Sequence, residues 1–137
     1  MIQLRFASIP ANVHRVKDLL QRIEETYQTT LSEDARYRII IAVSEAINNA
    51  IEHGSRNREG AMVEIRSERR DRGLYVWVID EGSGFEPADL PDPRTEEQLL
   101  SERGRGILLM ENLADRLRFY QSPEGFATEL WFDNIFQ

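Results

Sequence analysis

Apolar residues recur at helical spacing in three parts of the chain. Over residues 12–27 they return every three or four positions, as on one face of an amphipathic helix. A second helix is predicted to begin after Ser32, an N-cap residue followed by two acidic residues, and to end at His53, just before Gly54. A third is predicted to begin near Gly106, where leucine and methionine side chains recur at helical steps.

Alternating apolar and polar residues predict the strands. Residues Ile2–Ile9 alternate loosely until a proline follows them, which is typical of an edge strand. The segments Met62–Ser67 and Leu74–Asp80 flank a turn-like stretch, and the second is rich in β-branched and aromatic residues. The chain closes with a predicted hairpin, in which a Pro-Glu-Gly turn joins Arg118–Ser122 to Phe126–Asp133.

The resulting order of elements, β-α-α-β-β-loop-α-β-β, predicts an α+β fold. The simplest packing is a two-layer sandwich in which helices cover one face of a mixed, mostly antiparallel sheet. At 137 residues the chain is expected to form one domain, residues 1–137. Residues 86–103 are acidic, contain three prolines and lack apolar periodicity, so they are expected to form a long loop of the kind that is often functional.

Composition excludes several classes of function. The net charge of −7 argues against electrostatic binding to nucleic acid or to anionic lipid. The absence of cysteine excludes disulfides, thiolate nucleophiles and zinc-thiolate sites. Neither a secretory leader nor a membrane-spanning apolar run is evident, so a cytoplasmic location is expected. The single lysine, Lys17, has no glycine before it, which excludes a Walker-type phosphate loop.

The second predicted helix carries the first candidate for chemistry. Glu45, Asn49 and His53 form a row at i, i+4 and i+8 along one border of its core face. The carboxylate could accept a proton from an attacking hydroxyl, and the amide oxygen could ligate Mg²⁺. Such a pair alone fits a solvated helix shoulder better than a catalytic site. His53, next to Gly54, fits a cation at the helix C-terminus better than a ligand.

Two glycine-containing elements follow. Asp80 ends a strand and could accept a hydrogen bond from an exocyclic amine such as that of adenine, while Gly82 and Gly84 would let the backbone approach the ring. An ordinary turn would also favour these residues. Further on, the segment Gly104–Gly106 precedes the third predicted helix, whose N-terminal N–H groups could bind phosphate. Arg105 within it could add a charge-assisted bond to the terminal phosphate or lie on the surface.

In this order, the three elements closely resemble those of the small anti-sigma-factor serine/threonine kinases. These belong to the GHKL ATPase superfamily and share the Bergerat ATP-binding fold with histidine kinases and gyrase B. The resemblance extends over nearly the whole chain. It implies that Glu45 is the catalytic general base, that Asn49 ligates magnesium and that residues 86–103 form the ATP lid. The nucleotide-binding positions it implies are Asp80, Gly82, Gly84, Gly104 and Gly106, to which the charge of Arg105 adds a further candidate.

The resemblance also implies a function. Such a protein would be an ATP-dependent serine/threonine protein kinase and anti-sigma factor, with ATP and Mg²⁺ as cofactors. It would phosphorylate a STAS-domain anti-anti-sigma protein, sequester a sigma factor, and form a homodimer through its N-terminal strand and helix. The alternative is a non-catalytic ATP-binding regulatory protein of the same fold that acts by partner binding alone. The presence of both Glu45 and Asn49 argues against that alternative.

Two other relatives of the same superfamily fit the chain less well. The catalytic domain of a histidine kinase would follow a dimerisation helix with a phosphoacceptor histidine, whereas His14 falls in the first predicted helix. A gyrase-type ATPase would need a transducer domain, for which 137 residues leave no room.

Overall fold

The computed structural model describes residues 1–54, 59–82 and 102–136, and the side chains of all of these except 102 and 103. The elements in chain order are β1 (Ile2–Ala7), a 3₁₀ turn (Pro10–Arg15), α1 (Val16–Thr26), α2 (Glu33–Asn49), a π-helical turn (Ala50–Gly54), β2 (Met62–Arg70), β3 (Gly73–Asp80), α3 (Glu102–Leu113), β4 (Arg116–Ser122) and β5 (Gly125–Phe132). Among these helices, none is long and apolar enough to cross a bilayer.

The five strands form one sheet in the order β1-β2-β3-β5-β4. Each of the four pairings is antiparallel. Strand β3 lies at the centre, with β2 on one side and β5 on the other. The predicted α+β class, with a mostly antiparallel sheet and a closing hairpin, is therefore confirmed.

Strand β3 divides its side chains between the two faces of the sheet. Leu74, Val76 and Val78 are fully buried and belong to the same apolar core as the helices. Tyr75 and Trp77 alternate with them and are partly exposed on the opposite face. Because side chains two positions apart share a face, the residue at the end of this strand points toward the helical layer.

Helix α2 is the central helix of that layer. The Ser32 hydroxyl accepts a hydrogen bond from the Ala35 N–H at 3.1 Å, which confirms the predicted N-cap. Its core face includes Ile39, Val43 and Ile47, each without exposed surface. These residues hold the helix against the sheet and thereby fix the border that carries the candidate carboxylate and amide.

Three predicted boundaries differ from the structure. Residues 12–15 form part of a 3₁₀ turn, and α1 begins only at Val16. Helix α2 ends at Asn49 and continues as a π-helical turn, which has one more residue per turn than an α-helix. Helix α3 begins at Glu102 and not near Gly106. The predicted loop therefore ends sooner than expected, and residues 86–101 of it lie outside the described part of the chain.

Candidate functional site

Asp80 ends strand β3 as a buried carboxylate. Its exposed fraction is 4%. Burial raises the pKa of this carboxyl to about 6, while the Gly82 N–H, which donates to Oδ1 at 2.7 Å, acts in the opposite direction. A sheltered carboxylate with one oxygen engaged by the backbone is a strong acceptor for a donor on a ligand.

Gly82 packs between Asp80 and the end of α2. A Cβ atom at Gly82 would lie 2.0 Å from the Gly54 carbonyl oxygen and 2.9 Å from Asp80 Oδ1. The absence of a side chain is therefore what allows the backbone after β3 to pass the end of α2. Gly84, the other glycine predicted here, lies outside the described residues.

Asp80 and Asn49 line the same small cavity. The cavity has a volume of about 10 Å³, room for roughly one water molecule. Its other lining residues are Ala50, His53, Gly54, Phe119, Phe126 and Thr128. The structure therefore brings the first and second candidate motifs together, between the C-terminal end of α2 and the end of the central strand β3. Insertion of a purine ring between these residues requires them to separate.

Asn49 has an unsatisfied polar atom beside this cavity. Its side-chain nitrogen Nδ2 is buried and has no hydrogen-bond partner among the described residues. A buried amide group without a partner costs about 1–3 kcal/mol, and native structures rarely tolerate it without a reason. Rotation of the amide by 180° would present its oxygen at the same place. The residue thus fits a site that becomes satisfied when a ligand or a hydrated cation binds.

Glu45 lies one helical turn before Asn49 and faces the start of α3. A Cβ atom at Gly106 would lie 2.6 Å from the Glu45 oxygen Oε2. The structure therefore brings the first and third motifs together as well. Gly104 and Gly106 are buried, whereas Arg105 between them is exposed.

The structure corrects the prediction that these glycines precede a helix. Both lie inside α3, which begins at Glu102. The N–H groups that lack an acceptor within a helix are those of its N-cap and of its first three residues, and the first three residues of α3 are 102–104. Gly104 lies in the first turn of α3, whereas Gly106 is in a position that serves close packing against Glu45.

Sequence reasoning missed part of the cavity wall. Thr128 is a buried polar residue of β5 with 6% exposure, and it pairs with Val78 of β3 in the sheet. Phe126 pairs with Asp80 and stacks on Phe119 with ring centroids 6.3 Å apart. These residues belong to no motif, and only the pairing of β3 with β5 brings them to the cavity. A threonine among the apolar residues of the inward face of β5 was the one available signal.

Comparison with known proteins accounts for this arrangement. The family model described as the histidine kinase-like ATPase domain matches residues 6–132. The anti-sigma F factor of Shouchella clausii is 30% identical over 126 residues, which are 89% of this chain and 84% of that protein. The match therefore includes all three motifs and most of both chains.

Solved structures have the same architecture. The histidine kinase domain of the Erythrobacter litoralis blue-light activated histidine kinase aligns with a TM-score of 0.58 and 19% identity over 89% of this chain and 60% of that one. The RsbU and RsbW domains of Rv1364c from Mycobacterium tuberculosis align with a TM-score of 0.60 and 17% identity over 97% of this chain and 32% of that one. The chain thus spans less than two thirds of either solved chain, and the likeness concerns the fold. From the family match and this shared fold, we conclude that the chain belongs to the histidine kinase-like ATPase domain family.

Proposed function

We propose that this protein is an ATP-dependent serine/threonine protein kinase and anti-sigma factor. It transfers the γ-phosphoryl group of ATP to a STAS-domain anti-anti-sigma protein and, when not so engaged, sequesters a sigma factor in the cytoplasm. The observation that carries the proposal is the single cavity lined by Asp80 and Asn49, with Glu45 one helical turn away. The likeness to a protein named anti-sigma F factor supports the choice of partners.

In this proposal the base of ATP binds at Asp80. The buried carboxylate accepts a hydrogen bond from the exocyclic amine of adenine, and the glycines at positions 82 and 84 of the sequence are the residues proposed to lie beneath the ring. Phe119, Phe126 and Thr128 supply the part of the wall that comes from β4 and β5. A site built to pair a polar group of its substrate discriminates strongly against analogues that lack that group, because its own buried group is then left unpaired.

The magnesium ion is held by Asn49 in this proposal. Mg²⁺ prefers oxygen ligands and keeps several waters, so one protein amide together with phosphate oxygens is a sufficient set. Asn49 is half-buried at the cavity, and rotation of its amide, whose nitrogen Nδ2 has no partner among the described residues, would turn the oxygen toward the ion. When bound, the ion neutralises charge on the phosphates.

Glu45 acts as the general base. Its carboxylate removes the proton from the substrate hydroxyl as that oxygen attacks the γ-phosphorus and the bond to the β–γ bridging oxygen breaks. The leaving group is ADP. The contact with Gly106 holds the carboxylate at the start of α3, where Gly104 and Arg105 are proposed to bind the phosphates. Catalysis then rests on positioning and charge neutralisation.

A homodimer through the N-terminal strand and helix is part of the proposal. Among the described strands, β1 pairs on one side only, with β2. Apolar Met1 and Ile9 flank it and are 70% and 50% exposed. An edge strand bordered by exposed apolar residues is a suitable surface for a second chain.

The test is native mass spectrometry of the protein with Mg²⁺, ATP and a STAS-domain protein from the same genome. We expect a nucleotide-bound kinase and a STAS-domain protein heavier by one phosphate, with the phosphate on serine or threonine. Nucleotide binding without transfer to any STAS-domain protein of that genome would favour the non-catalytic switch. A chain that binds no nucleotide would contradict both.

A further inference from the structure

The π-helical turn after α2 brings a backbone segment against Asp80. Residues Ala50–Gly54 form this turn, and its last residue lies next to the Asp80 carboxylate. A π turn adds one residue to the helix and shifts the chain after it relative to an α-helix. Such turns occur often at functional sites, and this one ends beside the residue proposed to bind the base.

Gly54, Asp80 and Gly82 pack tightly against one another. A Cβ atom at Gly54 would lie 2.2 Å from Asp80 Oδ2, 2.3 Å from Cγ and 2.7 Å from Oδ1. Because the short distances include Cγ as well as both oxygens, a rotation of the carboxylate about its own axis could not relieve the overlap. The whole side chain would have to leave its rotamer, or β3 would have to move.

Either movement would disturb the hydrogen bond that orients the carboxylate. Oδ1 accepts the Gly82 N–H at 2.7 Å, and this bond leaves Oδ2 available to a ligand. The backbone of Gly82 is itself fixed, since its α-carbon lies against the Gly54 carbonyl group. The hydrogen atom in place of a side chain at Gly54 is therefore a condition for the orientation of Asp80.

We propose that Gly54 is a positioning residue for Asp80 and that it thereby determines the preference of the site for a purine with an amino group at C6. This inference rests on the proposed ATP site. It gives the π turn a role of its own, separate from the roles proposed for the motif in α2 and for the glycines after β3. Gly54 makes no contact with the phosphates in this proposal and acts only through the carboxylate.

The test compares two nucleotides that differ in one group. ATP and purine riboside triphosphate, which lacks the 6-amino group, are titrated in the presence of Mg²⁺ by calorimetry against the wild type, Gly54→Ala and Asp80→Asn. We expect the wild type to prefer ATP by about tenfold or more, the effect of one hydrogen bond to a charged acceptor. Both variants should lose this preference, because their affinity for ATP falls while that for the analogue changes little.

A matched control separates this effect from lost stability. Gly60 has a φ of +80° and open space around it, so Gly60→Ala adds backbone strain without touching the site. It should keep the wild-type preference. A Gly54→Ala variant that keeps the preference, or that weakens both nucleotides equally, would overturn the inference and leave the ATP site intact. A wild type that binds neither nucleotide would overturn the proposed function and the inference with it.

A second measurement covers the case in which Gly54→Ala is too unstable to titrate. Removal of the carboxylate makes room for the added methyl group, so the double variant Gly54→Ala/Asp80→Ala should unfold at a higher temperature than Gly54→Ala alone. The single variant Asp80→Ala completes the double-mutant cycle, because it measures what removal of the carboxylate does to stability on its own. A double variant no more stable than Gly54→Ala would show that the methyl group clashes with something other than Asp80.

Discussion

The Glu45 carboxylate and Gly106 are in contact across the interface of α2 and α3, since a Cβ atom at Gly106 would lie 2.6 Å from Oε2. The next nearest atoms of Glu45 would be at 3.5 and 4.0 Å, which are ordinary contact distances. An added methyl group would therefore displace the end of a flexible side chain and leave the backbone in place. Gly106 therefore affects the position of the Glu45 carboxylate more than it affects the packing of α2 against α3.

Gly106→Ala should therefore separate stability from activity. Alanine within a helix is favoured over glycine by up to about 1 kcal/mol, so the free energy of unfolding should stay level or rise. Phosphoryl transfer should fall about tenfold or more, because a base displaced by an ångström loses its alignment. Chemical denaturation and a single-turnover transfer assay measure the two effects. A variant that loses stability and keeps its rate would contradict this interpretation of the contact.

Glu45→Gln should abolish transfer and preserve nucleotide binding. The amide keeps the shape of the side chain but cannot accept the proton, and loss of a general base typically costs 10²–10⁴-fold in rate. Transfer to the STAS-domain protein is followed with radiolabelled ATP, and affinity by calorimetry. Glu52→Gln is the matched control, because that carboxylate lies in the π turn after α2 and is exposed. Parallel loss of binding and transfer would argue against the role as base.

Asp80→Asn should weaken the binding of ATP and leave the protein folded. Asparagine can still accept the Gly82 N–H, but it replaces a charged acceptor with a neutral one and adds a donor beside the adenine amine. We expect the affinity for ATP to fall about 10- to 100-fold. Circular dichroism checks the fold. Unchanged affinity would remove Asp80 from the nucleotide site.

The raised pKa of Asp80 predicts how stability depends on pH. The carboxyl has a pKa of about 6 in the folded protein against an ordinary value of 3.8. Between these values the unfolded chain releases a proton that the folded protein retains, so the free energy of unfolding falls as pH rises from about 4 to 6. The loss amounts to roughly 3 kcal/mol and is constant above that range.

The measurement is denaturation of the wild type and Asp80→Asn at intervals between pH 4 and pH 7.5. Other carboxyls contribute equally to both proteins, so the difference between the two curves isolates Asp80. Relative to the variant, the wild type should lose stability as pH rises through the window. Two curves that stay parallel would mean that burial does not raise the pKa of this carboxyl.

Local spacing was enough to predict most elements and the residues of the three motifs. The N-cap at Ser32 and the end of β3 at Asp80 are fixed by neighbouring residues, and both predictions agree with the structure. The start of α3 was predicted wrongly, because its glycines suggested a helix boundary. Glycines inside a helix are disfavoured by propensity, and here close packing of α3 on α2 outweighs it.

The cavity itself could not be predicted. Thr128 reaches it only because β5 pairs with β3 at long sequence separation, and Gly54 only because α2 ends in a π turn. Neither pairing register nor a one-residue widening of a helix is contained in the periodicity of apolar residues. The motifs therefore predict candidate residues for chemistry, whereas the contacts around those residues could be seen only in the folded chain.

The small size of the cavity beside Asp80 has a kinetic consequence. With room for about one water molecule, the space between the described residues around Asp80 is too small for a purine, so binding of ATP there would require these residues to move apart first. The apparent affinity is then the intrinsic affinity reduced by the fraction of time spent open. At high ATP concentration the observed rate of binding should level off at the rate constant for this opening. The conformational change, and not the encounter with ATP, would then limit how fast the protein binds its nucleotide.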